Sequence, residues 1–220
     1  MAKRQLLKAI NRAAILNAIK AHGEIARTDI AAFTRLSPAT VTSLTAELIR
    51  DGLIYEKQVG VSRGGRRPIM LALNDEGAYV VGIKLAEEDA TLALTDLNAR
   101  IVARRTIQLG ARDPLSTSRQ LARGVDALLS DEGITRSRLL GVGVGLAGVI
   151  DSQAGICRTS PHNGWRDVPF SRLLEDELDC IVYLDNNVNT LTLVEQLYGV
   201  GQQVPNFLVI TVGHGIGLGI

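Results

Sequence analysis

Ser37-Pro38-Ala39-Thr40-Val41-Thr42-Ser43-Leu44-Thr45-Ala46-Glu47-Leu48-Ile49-Arg50-Asp51-Gly52 reads as one helix with marked ends. Ser37 offers a side-chain oxygen to the unpaired N–H groups of a first turn, and Pro38 suits the first helical position, where no N–H is needed. Gly52 can adopt the left-handed backbone that closes a helix. At about 100° per residue, Val41, Leu44 and Leu48 share one face, toward a core. Ala39, Ser43, Ala46 and Arg50 fall opposite, flanked by Thr40 and Thr42. A face of small side chains and hydroxyls can approach a major groove closely and bond to bases or phosphates. The same pattern also fits an amphipathic helix whose polar face only meets water.

Upstream, Leu6, Ile10, Ala14, Ile15, Ala18 and Ile19 recur at helical spacing from Gln5 to His22, and Gly23 ends that run. Thr28 is the expected N-cap of a short helix through Ile30 and Phe33, with a turn at Arg35-Leu36. The pair makes a helix-turn-helix. Downstream, Leu53–Lys57 and Pro68–Leu73 read as a strand and its return. Between them Gly60-Val61-Ser62-Arg63-Gly64-Gly65-Arg66-Arg67 forms a glycine-rich tip with three arginines, the composition of a wing. Arginine suits phosphates and a narrow minor groove. The candidate DNA-contacting set is therefore Ser37, Ala39, Thr40, Thr42, Ser43, Arg50, Arg63, Arg66 and Arg67.

Charge is distributed to match. Residues 1–74 carry 12 Lys/Arg against 5 Asp/Glu, and residues 75–220 carry 12 against 18, so a net +1 conceals a basic part joined to an acidic one. Hydrophobic residues make up 46%, enough for packed cores, while aromatics at 4% argue against a site built on stacked bases. Cys157 and Cys180 stand apart, without CxxC or a neighbouring His, which argues against zinc and against a disulfide framework in this segment. No apolar run of about twenty residues is present, and the basic N-terminus is not followed by a signal-peptide core. A cytoplasmic protein is expected.

After a linker near Asn74-Asp75-Glu76-Gly77, residues 79–85, 90–96 and 100–108 read as three consecutive strands. A helix over 115–130, a strand over 139–145, a helix over 168–178, a strand over 181–184, a helix over 188–198 and a strand over 207–212 follow. Three strands and then alternation predict an α/β domain on a mixed sheet. The expected division is a winged helix-turn-helix over 1–75 and an α/β domain over 76–220.

At this point the chain resembles the ROK family, which joins bacterial repressors to sugar kinases on an actin-like ATPase fold. The resemblance runs through Leu36–Val41, Asp51–Ile54 and Gly65-Arg66-Arg67-Pro68, then through Gly141–Asp151, Gly164–Pro169, Asp185–Asn189 and Gly213–Gly219. It implies a sugar-responsive repressor of carbohydrate-utilisation genes, such as those of xylose metabolism. Its partners would be an operator duplex, a sugar or sugar derivative, and a second copy of itself in a homodimer or larger homo-oligomer. It places the sugar contacts at Gly148, at His162 or Asn163, and at Asn186 and Asn187. Alternatively, Asn187 or Asn189 can simply cap the following helix, and Trp165 is read as core. The family also implies that the chain, ending at Ile220 inside a glycine stretch, lacks a second lobe, a further Glu-Gly-His-type sugar contact and a Cys/His zinc site. No cofactor is expected within the present segment, and only the first lobe and the start of the second.

Catalysis is not expected. Where family kinases carry an Asp followed by a Gly-Gly-Thr turn, this chain has Lys84-Leu85-Ala86-Glu87-Glu88-Asp89, in which side chains and acidic charge oppose a phosphate. Where they carry Glu-Asn-Asp, it has Asp185-Asn186-Asn187, and an amide is no general base. The alternation Gly213-His214-Gly215-Ile216-Gly217-Leu218-Gly219 fits either a phosphate loop or a hairpin in which glycines relieve crowding. An active kinase with an appended DNA-binding domain and a domain that only oligomerises remain as alternatives.

Overall fold

The computed structural model describes residues 2–57, 68–213 and 215–220, with side chains from residue 6 onward. The backbone divides into two compact units: Met1–Ala78 together with Asp96–Arg100, and Tyr79–Thr95 together with Ile101–Ile220. The break falls three residues beyond the end of the linker's first acidic residue, and the short piece 96–100 was not foreseen in the sequence.

In the first unit, α1 (Ala2–His22) stops at Gly23, whose φ of +72° a side chain would oppose. β1 (Glu24–Ala26) leads directly into α2 (Arg27–Thr34). Thr28 is not the cap: the chain leaves β1 still extended at Ala26 (φ −78°, ψ 154°), so the helix begins as soon as strand pairing ends, without a side-chain cap bond. Arg35 then turns left-handed (φ 56°) and α3 (Pro38–Arg50) follows. β2 (Ile54–Lys57) and β3 (Met70–Leu73) complete an antiparallel sheet in the order β1-β3-β2. Both strands are shorter than their sequence patterns suggest. Residues 58–67, which include Arg63, Arg66 and Arg67, lie outside the described residues.

The core joins Ile15 and Ile19 of α1, Ile30 of α2, and Leu44 and Leu48 of α3 to Leu71 of β3. Two polar ties orient the helices. Buried Thr45 accepts from Arg27 Nε (3.1 Å), while Arg27 Nη2 donates to Glu56 Oε1 (2.7 Å), linking α2, α3 and β2. Glu47 receives Lys8 Nζ at 2.7 Å and Arg12 Nη1 at 3.4 Å, linking α3 to α1. The Lys8 ammonium, with Arg12, holds the Glu47 carboxyl below its ordinary pKa.

The second unit is built on a five-stranded mixed sheet, ordered β11-β7-β4-β5-β6. β4 (Tyr79–Leu85), β5 (Asp89–Thr95) and β6 (Ile101–Gln108) form an antiparallel meander, and β7 (Leu139–Leu146) and β11 (Ile181–Asn186) add in parallel beside β4. Parallel neighbours need crossovers, which α4 (Pro114–Asp131) and α5 (Phe170–Leu178) supply. Asp113 caps α4 by accepting from the Ser116 N–H at 2.9 Å. Alternate residues such as Val81, Ile83, Leu92 and Val144 meet Leu121, Val125 and Leu174 in the core.

Three short strands escaped the sequence reading: β8 (Val149–Asp151), β9 (Ile156–Ser160) and β10 (Trp165–Val168), an antiparallel sheet ordered β10-β9-β8. The helix expected from residue 168 therefore begins at Phe170. Val168 precedes Pro169, which disfavours helical backbone, and it pairs with Cys157 instead. α6 (Asn187–Tyr198) follows β11, and β12 (Val209–Val212) pairs with β13 (Ile216–Gly219). A Cβ on Gly217 or Gly219 would collide with Val188 or Thr192 of α6. Their lack of a side chain is thus a packing requirement between helix and hairpin. His214 lies outside the described residues. Among those described, no helix is long and apolar enough to cross a membrane.

Two outcomes are expected. Leu48→Ala, emptying a fully buried site, should lower the unfolding free energy by about 2–5 kcal/mol in urea denaturation. Glu47 contributes stability above its unfolded pKa of about 4.5, and that contribution is lost as pH falls through its lower folded value. Glu47→Gln should therefore flatten the acid limb of a stability-versus-pH curve below about pH 4.5 and leave the slope near neutrality unchanged.

Candidate functional site

The outward face of α3 is assembled from its first turn onward. Ser37 Oγ accepts from the Thr40 N–H (3.2 Å) and shares a further hydrogen bond with Thr40 Oγ1 (2.8 Å), as the cap reading expected. Thr42 Oγ1 donates to the Pro38 carbonyl at 2.9 Å. Ala39, Thr42, Ser43, Ala46 and Arg50 are exposed and Thr40 is half-buried, so the structure brings the predicted helix residues onto one surface. Arg50 is 75% exposed, with Asp51 4.0 Å from its Nε. Arg63, Arg66 and Arg67, also predicted for this interface, are not among the described residues.

A second constellation centres on the turn after β7. Gly148 has φ +150°, and a Cβ there would strike the Thr159 carbonyl. The two peptides of this turn are each held by a side chain. Ser160 Oγ, fully buried, donates to the Ala147 carbonyl (2.8 Å) and accepts from Asn163 Nδ2 (2.9 Å). Asn186 Nδ2 donates to the Gly148 carbonyl (2.8 Å) while its Oδ1 accepts from the Val188 N–H (2.7 Å), making Asn186 the N-cap of α6. Gly148, Asn163 and Asn186 are thus joined through one turn, and Asn187 follows directly.

The roles within this set differ from residue to residue. Both ends of the Asn186 amide are occupied, so Asn186, and not Asn187 or Asn189, performs the capping. Asn187 is half-buried, and no side-chain hydrogen bond is recorded for it among the described residues. Asn189 donates to Asp185 Oδ1 (2.9 Å), which also accepts from the Asn186 N–H (2.6 Å). His162 Nδ1 stands 3.9 Å from Glu87 Oε2, and Arg112 Nη1 reaches Glu87 Oε1 at 2.7 Å. Trp165 is core, tilted against Phe170 with ring centroids 4.6 Å apart, and its indole N–H donates to the Arg112 carbonyl (2.7 Å). Sequence reading missed Ser160 and Arg112. The signal for Ser160 was its place before Pro161 at a turn; Arg112 carried none, because its role is set by partners far away in the chain.

Asn163 Oδ1, the Asn187 amide and the half-exposed His162 ring offer donors and acceptors suited to hydroxyl groups. The β4–β5 connection beside them is a tight turn, closed by the Ala86 N–H on the Asp89 carbonyl at 2.9 Å and carrying Glu87 and Glu88. Among the described residues no three His, Cys, Asp or Glu side chains converge on a metal-sized site. Burial pushes the thiols of Cys157 and Cys180 up, away from the thiolate a metal would need.

Asn186→Ala removes a cap and a carbonyl partner together. It should cost about 1–3 kcal/mol in the unfolding of the second unit, and Asn187→Ala should cost well under half as much by the same denaturation assay.

Comparison with known proteins gives matches to both units. The model of the ROK family matches residues 80–220, and a model described as winged helix-turn-helix DNA-binding matches residues 9–55. A putative xylose repressor of a Caldicellulosiruptor species is 34% identical over all of this chain and 55% of its own length. The DNA-binding transcriptional dual regulator NagC of Escherichia coli is 28% identical over 98% of this chain and 53% of its own. Among solved structures, a ROK family transcriptional regulator, described as a homologue of the Escherichia coli MLC protein, superposes with a TM-score of 0.84 at 26% identity. It covers 97% of this chain and 54% of that one. A ROK hexokinase from Thermus thermophilus matches 64% of this chain with a TM-score of 0.56 at 26% identity. The chain spans about half the length of the curated relatives it matches. With a winged helix-turn-helix ahead of an actin-like kinase fold, and relatives that are regulators, this chain belongs to the ROK family.

Proposed function

We propose that this chain is the DNA-reading and sugar-sensing part of a transcriptional repressor of carbohydrate use. The observation that carries the reading is α3, whose apolar face is fully buried while its small and hydroxyl-bearing face is left to solvent directly after a left-handed turn. Such a helix can enter a major groove without steric conflict. The basic balance of residues 1–74 supplies attraction to phosphates, and the relatives described as repressors support the direction of control.

The second unit is proposed as a non-catalytic sensor. Asn187, at the position of the kinase base, cannot accept a proton, and Glu87 and Glu88 repel phosphate at the closed β4–β5 turn. Hydroxyl recognition is proposed for Asn163, Asn187 and His162 on the turn built by Gly148 and Asn186. A sugar bound there regulates the operator only by favouring one arrangement of paired DNA-reading units over another, which makes a homodimer the expected functional state.

The test is binding of the 220-residue chain to random duplex DNA across a salt series. Steeply salt-dependent binding is expected, with Ser43→Glu, which places a carboxylate on the groove-facing surface, lowering affinity at least about tenfold while leaving the unfolding midpoint unchanged. Absence of binding at low salt would remove this reading. In thermal-shift measurements against pentoses, hexoses and amino sugars, stabilisation by one class, abolished in Asn187→Ala, is the expected result.

A further inference from the structure

The outward face of α3 holds a short chemical inventory, and most of its polar groups are already engaged. Ser37 and Thr40 hydroxyls bond each other. The Thr42 hydroxyl donates to the Pro38 carbonyl, so Thr42 has no proton left to give and offers a partner its methyl group and an acceptor oxygen. Glu47 is held by Lys8 and Arg12. From Pro38 to Ile49 there is no Arg, Lys, Asn or Gln, the side chains that pair bidentately with guanine or adenine edges. Arg50 comes only at the last helical position. Between the ends stand Ala39, Ser43 and Ala46, all exposed and one above another on the same face. Among the described residues, Ser43 is the one of Ser37, Thr40, Thr42 and Ser43 whose hydroxyl makes no hydrogen bond.

We infer that α3 reads its operator chiefly through the C5 methyl groups of thymine, against Ala39, Thr42 and Ala46, with Ser43 making the one hydrogen bond to a base edge from this face. The inference rests on the DNA-binding reading above and adds which base and which atoms are recognised. Methyl carbons cannot discriminate by hydrogen bonding, but they gain from removing a thymine methyl from water, and cytosine and guanine present no such group in the major groove. A serine hydroxyl both donates and accepts, so Ser43 bonds a neighbouring base while the alanines set the close approach. Discrimination of this kind accumulates from several small contacts.

The experiment uses the 220-residue chain. A preferred duplex is selected from a random library, and each thymine is then replaced by deoxyuridine, which pairs alike and lacks only the methyl. Affinity is expected to fall about threefold to fivefold at two or three clustered positions, the value of one buried methyl-sized group, and to be unchanged by uridines in the flanks. Ala39→Gly should make one of those positions indifferent to uridine, and Ser43→Ala should relax base preference at an adjacent position while uridine sensitivity persists. Sequence-specific binding that ignores full uridine replacement overturns this inference and leaves the DNA-binding reading standing. Failure of the chain to bind any duplex overturns both.

Discussion

The 13-residue helix α3 has two obligations, and burying one side determines what the other can do. Val41, Leu44, Thr45 and Leu48 must leave water together, which sets the helix's rotation about its own axis and so decides that Ala39, Ser43, Ala46 and Arg50 point away. The remaining first-unit interactions refine that arrangement. Arg27 reaches Thr45 on one neighbour and Glu56 on another, so α2, α3 and the strand leading to the expected wing share one guanidinium. Lys8 and Arg12 act on Glu47 from α1. These pairs are half-exposed and individually weak, and their contribution is to orientation more than to stability.

In the second unit the comparable constraint is the backbone after β7. Gly148 adopts a conformation and a proximity to Thr159 that no other residue permits, and each peptide beside it is tied to a different element: Ser160 of β9 holds one, Asn186 at the head of α6 holds the other. Three separate stretches of chain are thereby brought to a single turn. The residues proposed to meet hydroxyl groups are the neighbours of those ties: Asn163 beside Ser160, Asn187 beside Asn186. Rigid backbone contacts place them, and their own amides retain bonding capacity.

Much of this was legible in the sequence where periodicity or end signals were strong. Ser37, Pro38 and Gly52 marked α3 to the residue, and a mixed sheet followed from three consecutive strands and the alternation after them, although the strand expected over 207–212 begins at Val209 and pairs in a separate hairpin with β13. Short elements were not legible. β1 and β8–β10 have three to five residues, too few for alternation to show, and their pairing partners are set by tertiary contacts. Thr28 looked like a cap because its chemistry fits, yet the strand before it brought the helix start forward. In the second site, Asn186 and Asn187 were chemically indistinguishable; only the partners of the Asn186 amide separate a capping residue from one with free bonding groups. The glycine alternation of residues 213–219 was ambiguous between anion binding and crowding, and the approach of α6 to Gly217 and Gly219 supplies the crowding.

The first unit takes in Asp96–Arg100, a piece that lies beyond the start of the second. Leu97 packs with its core, its N–H bonds the Asp75 carbonyl at 3.3 Å, and Asn98 bonds the Asp75 carboxylate. The first unit is therefore not one uninterrupted run of codons. An exchange of genetic material that cuts once, near residue 78, would carry Asp75 away from the turn that answers it and leave Leu97 facing an unfamiliar core. Transplanting the first unit intact between relatives requires either two cuts or a recipient whose own 96–100 segment already fits, which restricts how freely this unit can be inherited apart from the domain that follows it.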